Sequence, residues 1–504
     1  MPGGRPHNLL VVSDLHLGEE LLPGASADRR HAVALAAGAF IEFLRHHQRT
    51  RLDGRPWRLV INGDLFDFMS VDRGPIAPGA DRLARTPAQA VVQLRAIALH
   101  HRAVLGQLAS FVAAGHRVDI IAGNHDRELI WPEVGAALRA ELLALAPRGL
   151  GAAELEARVG VHPWFVHEPG VAWIEHGDRY DEQCAAEYAL APEDPRTGAL
   201  GENVDYAAFC TLGHAAPDLD IHGTEGWSFG GFMRYGWGRG VRPLCTLLAS
   251  YGHFVRRLLA ARGLHRSPRL RRQRAERHAR ARAALAGQAG LPDTTLAALD
   301  ELASAPITAS ARRLARLLML DRWVAMLATV LALVVAFVAL TPALATVTSA
   351  LAGLAIWTGA GRLAGGDLAS QLPMQRVPAA IRDHVGVPVV VFGHTHAPLR
   401  QVLPGGGVYV NSGTWLPAIR PGLLRAFTHV AIVGGVAELR QWRDGASRRF
   451  EPRDPTPVPR PVVTPRPVPV RPPAPAAAAV AARSLDAASA HDVVEPTSAP
   501  ARAA

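Results

Sequence analysis

The sequence contains no lysine, so all 54 of its positively charged side chains belong to arginine. Acidic residues number 44, and the formal net charge is +10. The heavy use of Ala, Arg, Gly and Pro is typical of a biased genome composition, so the overall charge does not identify a partner. With 504 residues, 49% of them hydrophobic, the chain is long enough for two or three domains with a sizeable core.

Cysteine is scarce as well. The three cysteines, Cys184, Cys210 and Cys245, show no CxxC spacing and leave an odd count. This pattern excludes a disulfide framework and fits a reducing compartment. The first residues, MPGGRPHNLLVVSDLH, run directly into a strand pattern and lack the longer apolar core of a secretory signal peptide. We therefore expect the first domain to fold in the cytoplasm.

Short apolar runs that each end in a polar cluster predict the strands of the fold. They cover residues 8–16, 58–67, 118–126, 171–178, 387–396 and 408–413. Helical patterns lie near 29–48 and 87–114. Near-continuous Val, Ile and Leu runs that alternate with helices are typical of strands buried on both faces in an α/β fold. Sites in such folds collect at the carboxyl ends of strands, where every one of these polar clusters falls.

Five short motifs form an ordered series at these strand ends. They are Asp14-x-His16, Gly63-Asp64-x-x-Asp67, Gly123-Asn124-His125-Asp126, His176-Gly177-Asp178 and Gly393-His394-x-His396. Taken singly, such a motif is more often a turn, a helix cap or a satisfied polar residue than a ligand. Five of them in this order favour one shared site.

The residue types in these motifs point to divalent metal ions. Carboxylate, imidazole and amide ligands without thiolate suit Mn²⁺, Fe²⁺ or Zn²⁺. One carboxylate can bridge two ions about 3.5–4 Å apart, and a hydroxide between the ions is a nucleophile at neutral pH. Such a pair clamps the oxygens of a phosphoryl group, where catalysis is mainly positioning and charge stabilisation. His394 and His396 point to the same side of a strand, which favours one ring per ion.

The series resembles the motifs of the calcineurin-like metallophosphoesterase superfamily: DxH, GDxxD, GNH[DE], a lone His and GHxH. The resemblance covers about residues 8–180 and 385–435. It implies a sandwich of two mixed β-sheets flanked by helices, which we assign to residues 1–180 and 380–450. The stretch VNSGTW (410–415) is similar to the short strand and turn that follow GHxH in this family, and we expect it to be structural.

The resemblance also implies two groups of metal ligands joined by Asp64, which would bridge both ions. The ligands of the first ion would be Asp14, His16 and His396. Those of the second ion would be Asn124, His176 and His394. Two divalent ions are expected, with Mn²⁺ favoured and Fe²⁺ or Zn²⁺ as alternatives.

Five further residues receive roles from the resemblance or from their position. His125 would stabilise the transition state or protonate the leaving oxygen, and Asp126 would orient its ring. Asp67 would support the ligands from behind, although a turn-stabilising role is equally compatible with its position. Arg127 and Asp178 are candidate substrate contacts.

About two hundred residues of different character separate the fourth and fifth motifs. Residues 181–320 form a predicted insertion that is first rich in Gly and aromatic residues and then in arginine. Its basic run consists of Arg256, Arg257, Arg262, Arg266, Arg269, Arg271, Arg272, Arg274, Arg277, Arg280 and Arg282. This run is compatible with a solvated helix face, with anionic lipid headgroups or with nucleic acid. The Pro- and Ala-rich tail, 451–504, is predicted to be disordered.

An apolar block without charge lies between Arg322 and Arg362. As one helix it would be far longer than a hydrocarbon core of about 30 Å. Split at Pro342, it gives two segments that predict a transmembrane hairpin over residues 321–362, and a pair of buried Ala-rich helices is the alternative. A hairpin returns the chain to the side it left, so that the motifs on either side of it can share one site. The flanking arginines then favour a bacterial-type inner membrane with a cytoplasmic catalytic domain.

Three functions remain compatible with these patterns. The favoured one is a membrane-anchored di-metal phosphohydrolase, acting on a phosphomonoester, phosphodiester or pyrophosphate that is lipid-linked or a nucleotide sugar. Several motifs are similar to those of the UDP-2,3-diacylglucosamine hydrolase branch, but His125 stands where that branch carries Arg, so the substrate stays open. One alternative is a DNA exonuclease of the same superfamily, which is supported only by the arginine run. The other is a non-catalytic scaffold that kept the fold.

Overall fold

The computed structural model describes residues 7–71, 85–217, 235–236, 238, 240–318, 320–339, 371–417 and 426–451. These described residues form one compact unit. The strands are β1 (Asn8–Val12), β2 (Trp57–Asn62), β3 (Arg117–Ile121), β4 (Val159–His162), β5 (Phe165–Glu168), β6 (Ala172–Glu175), β7 (Val389–Phe392), β8 (Leu399–Val402), β9 (Val408–Asn411), β10 (Thr428–Val433), β11 (Val436–Arg443) and β12 (Ala446–Arg449).

The helices fall into an early set, which precedes the insertion, and a later set within and after it. The early set is α1 (Ala27–Arg49), α2 (Pro87–His100), α3 (Arg102–Ala113), α4 (Pro132–Ala144) and α5 (Ala152–Arg158). The later set is α6 (Val204–Ala208), α7 (Val241–Arg266), α8 (Pro268–Ala289), α9 (Asp293–Glu301), α10 (Ala311–Leu317), α11 (Leu320–Ala339) and α12 (Gln371–Val385).

Two mixed sheets carry the fold. The first has seven strands in the order β12-β11-β10-β1-β2-β3-β4, and the second has five in the order β5-β6-β7-β9-β8. Parallel pairing joins β1 to β2, β2 to β3, and β3 to β4 in the first sheet, and β6 to β7 and β7 to β9 in the second. The remaining pairs are antiparallel. Since parallel strands end at the same edge, each sheet brings several strand-end loops together.

The two sheets pack face to face through alternate side chains of their strands. Leu9 and Val11 on β1 belong to one buried cluster with Ile174 on β6 and with Val389 and Val391 on β7. Side chains along a strand alternate between faces, so the intervening residues of the same strands point away from this interface. The result is a sandwich with an apolar layer between two mixed sheets, as the family resemblance implies.

Helices cover the outer face of each sheet. On the first sheet, Leu10 and Val12 of β1 lie in a cluster with Phe40 and Phe43 of α1 and with residues of α2, α3 and α4. The outer face of the second sheet is covered from a different part of the chain. There, Trp173 and Phe392 cluster with Leu285 of α8, Leu296 and Leu299 of α9, and Ile381 of α12. The predicted insertion therefore supplies α8 and α9 of this outer helical layer, and α12 follows it in the chain.

Each of the six predicted strands overlaps an observed strand, and the carboxyl ends differ because the polar clusters belong to loops. Three antiparallel strands at the edge of the first sheet, β10 to β12, were not predicted, nor were β4, β5 and β8. The helical pattern at 29–48 corresponds to α1, whose first turn is capped by the Ser26 hydroxyl accepting from the Arg29 N–H. The pattern at 87–114 is two helices, because the backbone at His101 leaves helical geometry.

The predicted transmembrane hairpin has no counterpart in the residues that the structure describes, where no helix is long and apolar enough to cross a membrane. Its first half falls on α11, and its second half lies in residues 340–370, outside the described residues. The predicted disordered tail also lies outside them from residue 452 onward.

Candidate metal centre

The five motifs meet at one edge of the sandwich. Asp14 and His16 follow β1, Asp64 follows β2, and the Asn124–Asp126 turn follows β3, all in the first sheet. His176 follows β6, and His394 and His396 follow β7, both in the second sheet. The pairing of β1, β2 and β3, and of β6 with β7, places the ends of these strands side by side. The two sheets thus contribute opposite walls of one buried cluster.

The first donor group consists of Asp14, His16 and His396, which lie within ligand distance of one another. His396 Nε2 lies 3.2 Å from Asp14 Oδ1 and 3.2 Å from His16 Nε2. Two imidazole nitrogens that face each other so closely converge on a common point. A cation at that point would accept a lone pair from each of them.

The second donor group consists of Asn124, His176 and His394. Asn124 Oδ1 lies 3.1 Å from His176 Nε2 and 3.0 Å from His394 Nδ1. Asp64 links this group to the first, since its Oδ2 lies 3.2 Å from His176 Nε2 and 3.9 Å from His16 Nε2. The same carboxylate oxygen therefore faces both groups.

Five of these seven residues have an unusual backbone conformation. Asp14, His16, Asp64, His394 and His396 all have φ between 49° and 68°, the left-handed region that side-chain-bearing residues rarely adopt. Such conformations persist where the surrounding structure fixes them, and they concentrate at functional sites. The loops are thus built to aim these side chains inward at some cost in backbone energy.

Glycines allow the loops to approach one another. A Cβ atom at Gly63 would lie 2.2 Å from His176 Nδ1, and one at Gly123 would lie 2.2 Å from Asp64 Oδ1. At Gly393 it would lie 2.7 Å from Ser13 Oγ. Each of these three glycines therefore stands where a side chain would displace a donor residue or the loop that carries one.

The His125 ring adjoins the first donor group. Its centroid lies 4.6 Å from that of His16, with the two rings perpendicular. The carboxylate placed against it is that of Asp67, whose Oδ2 lies 3.3 Å from His125 Nδ1, whereas we expected Asp126. Asp67 also caps the following turn, since its Oδ1 accepts from the Ser70 N–H at 3.1 Å. The turn-stabilising role considered for Asp67 is thus present, and its other carboxylate oxygen contacts His125, which is not one of the expected ligands.

Asp126 holds the loops rather than the ring. Its carboxylate accepts hydrogen bonds from the backbone N–H groups of Gly123 at 2.6 Å, Leu65 at 2.9 Å and Phe66 at 3.2 Å. The side chain points away from His125 because consecutive residues of this turn face different directions. Asp126 therefore ties the β2 loop to the β3 loop.

Buried charges couple the two donor groups. Burial alone would raise the pKa of the Asp64 carboxyl, but the imidazoles of His176, His125 and His16 lower it well below its ordinary value. Burial lowers the pKa of His176, yet the Asp64 charge outweighs this and raises it to about 10. The carboxylates thus attract protons onto the neighbouring rings, and a bound cation would take the place of those protons.

Arg127 and Asp178, the candidate substrate contacts, lie against each other. Arg127 Nη2 lies 3.3 Å from Asp178 Oδ2 and donates to the Cys184 carbonyl at 2.7 Å. Both side chains are largely buried. These contacts anchor the start of the insertion to the loop after β3.

The stretch at 410–415 has the expected structural role, since it supports the loops that carry the donor groups. The Asn411 side-chain amide donates to the Gly393 carbonyl at 2.7 Å, and the Thr414 hydroxyl donates to the Asp14 carbonyl at 3.0 Å. Ser412 Oγ lies 2.7 Å from Ser13 Oγ. These side chains connect the two sheets directly behind the donor groups.

Sequence reasoning missed two carboxylates that the insertion brings to the site. Asp181 Oδ2 lies 3.3 Å from His394 Nε2, and Asp205 Oδ2 accepts from Asn124 Nδ2 at 3.0 Å. Phe209, one turn after Asp205, packs its ring against His125 with centroids 5.9 Å apart. Asp181 lies only five residues after His176, and this short spacing could have indicated that it lies near the site. Nothing in the sequence around Asp205 indicates its position.

The buried His and Asp side chains of this centre could hold a metal ion. Their donors are carboxylate, imidazole and amide, which together fit a divalent ion of hard to borderline character. A scan against models of protein families gives no match, and a comparison with curated proteins gives none either. The function is therefore inferred from the geometry of the centre.

Proposed function

We propose that this protein is a di-metal phosphohydrolase of the calcineurin-like type, cleaving a phosphomonoester, phosphodiester or pyrophosphate. The observation that carries the proposal is the shared Asp64 Oδ2, which faces both donor groups at 3.2 Å and 3.9 Å. A single carboxylate oxygen shared by two sets of donors is the arrangement expected of a pair of bridged ions. We favour Mn²⁺ for both positions, with Fe²⁺ or Zn²⁺ as alternatives.

Two ions bound there would supply an activated water at neutral pH and neutralise charge on the phosphoryl oxygens. The protein's own part is to hold and move a proton at His125. With Nδ1 engaged by Asp67, Nε2 is the ring nitrogen that would donate to the leaving oxygen. Without bound ions, burial lowers the pKa of His125, but the charges of Asp64 and Asp67 outweigh it and raise that pKa well above its ordinary value.

Metal analysis and hydrolysis of bis-p-nitrophenyl phosphate test the proposal directly. The purified protein should bind two divalent ions and turn over the ester when loaded with Mn²⁺. His125→Ala should keep both ions but lose most of the turnover, because His125 is placed beside the donor groups and not among them. A chain that binds no metal and has no turnover would be a non-catalytic scaffold. Loss of metal from His125→Ala would contradict the role given to His125.

We also propose that the enzyme works at a membrane, on a lipid-linked or nucleotide-sugar substrate. The support is twofold. Along α11, side chains such as Val324, Leu327 and Val338 are exposed by 66%, 69% and 81%. On α7 and α8 an exposed basic surface is formed by Arg256, Arg266, Arg269, Arg271, Arg272, Arg277 and Arg280. Exposed apolar side chains on one helix and exposed cationic side chains on two others suit an anionic lipid surface, such as the cytoplasmic face of a bacterial inner membrane.

The same arginines are the support for the alternative, an exonuclease acting on DNA. Co-sedimentation with vesicles of anionic and of neutral lipid separates the two functions from each other. Binding to anionic vesicles that persists in the presence of competing DNA supports the membrane function. Binding to duplex DNA that weakens steeply with salt, without vesicle binding, would favour the exonuclease.

A further inference from the structure

The insertion reaches the second donor group through two carboxylates. Asp181 follows the 3₁₀ turn Asp178–Tyr180 and lies against His394. Asp205 lies in α6 and accepts from the side-chain amide of Asn124. Both contacts are made to the end of the ligand side chain that faces away from the other donors. Each carboxylate can therefore determine which end of its ligand side chain faces the second ion.

Both His394 and Asn124 have two chemically different ends, and a metal ion can use only one of them. His394 Nδ1 and Asn124 Oδ1 lie 3.0 Å apart and face the second donor group. An ionised carboxylate accepts hydrogen bonds and cannot donate them. Asp181 therefore keeps the proton of neutral His394 on Nε2 and leaves the Nδ1 lone pair for the ion. Asp205 likewise turns Nδ2 of Asn124 outward and its oxygen inward.

We propose that Asp181 and Asp205 are positioning residues that fix the tautomer of His394 and the amide orientation of Asn124 for the second ion, an inference that rests on the proposed function. Carboxylates that orient metal-bound imidazoles are known to contribute about 10- to 100-fold in metal affinity. The insertion would in this way control how tightly the second ion is held.

The segment that carries these carboxylates is itself held firmly. Arg127 and the Asn203 side-chain amide both donate to the Cys184 carbonyl, at 2.7 Å and 2.9 Å. The Asn203 oxygen also caps α6 by accepting from the Tyr206 N–H at 2.9 Å. The Asp181 side chain is only 14% exposed. The carboxylates are therefore in place before any ion binds, as a positioning role requires.

The experiment compares the binding of two Mn²⁺ ions to the full-length chain and to three variants. Asp181→Ala and Asp205→Ala are expected to lower the affinity for the second ion by about 10- to 100-fold and to leave the affinity for the first ion unchanged. Asp293→Ala removes a carboxylate of the insertion that pairs with Arg282 at the surface, and it should bind both ions like the wild type. Titrations are followed by the electron paramagnetic resonance signal of unbound Mn²⁺ and by metal content after desalting.

Asp181→Asn and Asp205→Asn add a comparison without a change in volume. Their amide oxygen can still accept, so they should lie between the wild type and the alanine variants. An intermediate affinity in the asparagine variants indicates a hydrogen-bonding role. If the carboxylates acted only by packing, the isosteric asparagine variants would bind the second ion like the wild type. The asparagine variants also carry the test if an alanine variant does not fold.

Two outcomes would overturn the inference and leave the proposed function intact. One is wild-type affinity for the second ion in both alanine variants. The other is an equal loss of affinity for both ions in variants whose circular dichroism spectrum matches that of the wild type, since the effect would then not be specific to the second ion. If the wild-type chain itself binds fewer than two ions, the proposed function fails first.

Discussion

Gly123→Ala is expected to remove metal binding by displacing Asp64. The added Cβ would lie 2.2 Å from Asp64 Oδ1 and 2.7 Å from the Asp64 backbone nitrogen, whereas real Cβ atoms essentially never approach within 3.0 Å. The Asp64 carboxylate oxygen must therefore be displaced by about 0.8 Å, and the loops must separate by about 0.3 Å at the Asp64 backbone nitrogen. Metal–ligand distances tolerate only about 0.2 Å. Whichever loop moves, a ligand moves with it, since Gly123 precedes Asn124 and its neighbour is Asp64.

The size of the effect follows from this displacement. Overpacking of this kind costs about 1–3 kcal/mol of unfolding free energy. A misplacement near 1 Å at a reacting centre costs about 100-fold in turnover. Metal content after desalting is the primary readout, and urea unfolding in the presence of EDTA measures the stability of the metal-free chain. Turnover of bis-p-nitrophenyl phosphate is the third readout.

Gly38→Ala provides the matched control. Gly38 lies in α1, and an added Cβ would meet no atom within 4 Å. This variant should bind metal normally and gain about 0.5–1 kcal/mol of stability, because alanine favours the helix over glycine. If Gly123→Ala binds two ions with wild-type affinity, the close approach of the β2 and β3 loops is not what positions Asp64.

Two further expectations concern stability. Burial lowers the pKa of His47 from 6.5 to about 3. As pH falls below 6.5, the unfolded chain therefore binds a proton at His47 while the folded chain does not. The stability from neutral His47 is therefore present above pH 6.5 and lost as pH falls toward 3, by about 2 kcal/mol between pH 7 and pH 5. Between pH 7 and pH 5, the free energy of unfolding measured with urea should fall less in His47→Leu than in the wild type. An equal fall in both would refute a lowered pKa for His47. Ser13→Ala should cost about 1–3 kcal/mol, because Ser13 Oγ donates to the buried Gly413 carbonyl at 2.9 Å. An unchanged urea midpoint in Ser13→Ala would contradict this.

The strands that carry the donor residues could be predicted from the sequence because they are buried on both faces. Val11 on β1 and Val391 on β7 face the sheet interface, while their neighbours Leu10 and Val390 face helices. Both faces need apolar side chains, so the strand is a continuous apolar run that ends abruptly at the site. Edge strands such as β12, with exposed Arg448 and Arg449, lack that signal.

The roles of neighbouring carboxylates were harder to predict, as His125 illustrates. Its nearest acid in the sequence is Asp126, yet Asp67 is the acid that contacts its ring at 3.3 Å. The spacing of motifs identifies which residues share a site, but the direction of each side chain depends on turn geometry. At this turn, Asp126 is directed toward backbone N–H groups such as those of Gly123 and Leu65. The family resemblance therefore assigned the wrong acid to the His125 ring.

The insertion was the part least accessible to sequence reasoning, because its contributions depend on contacts between distant segments. Leu285 and Leu296 belong to helices with ordinary amphipathic patterns, and nothing in those patterns indicates that they cover the second sheet. Asp205 is a single acid beside a helix cap, which is the commonest place for one. Its role emerges only when α6 is packed beside the loop after β3.

The insertion is integral to the sandwich fold. The chain leaves the site after His176 and returns to it at His394, and in between it supplies the helices that shield Trp173 and Phe392 from water. The same segment places Asp181 against His394, so it shields one face of the second sheet and contacts a donor at that sheet's end. Burial of the sheet and orientation of the donor are thus achieved by one continuous stretch of chain. A change that loosens the packing of this stretch should therefore be felt at the second donor group before the first.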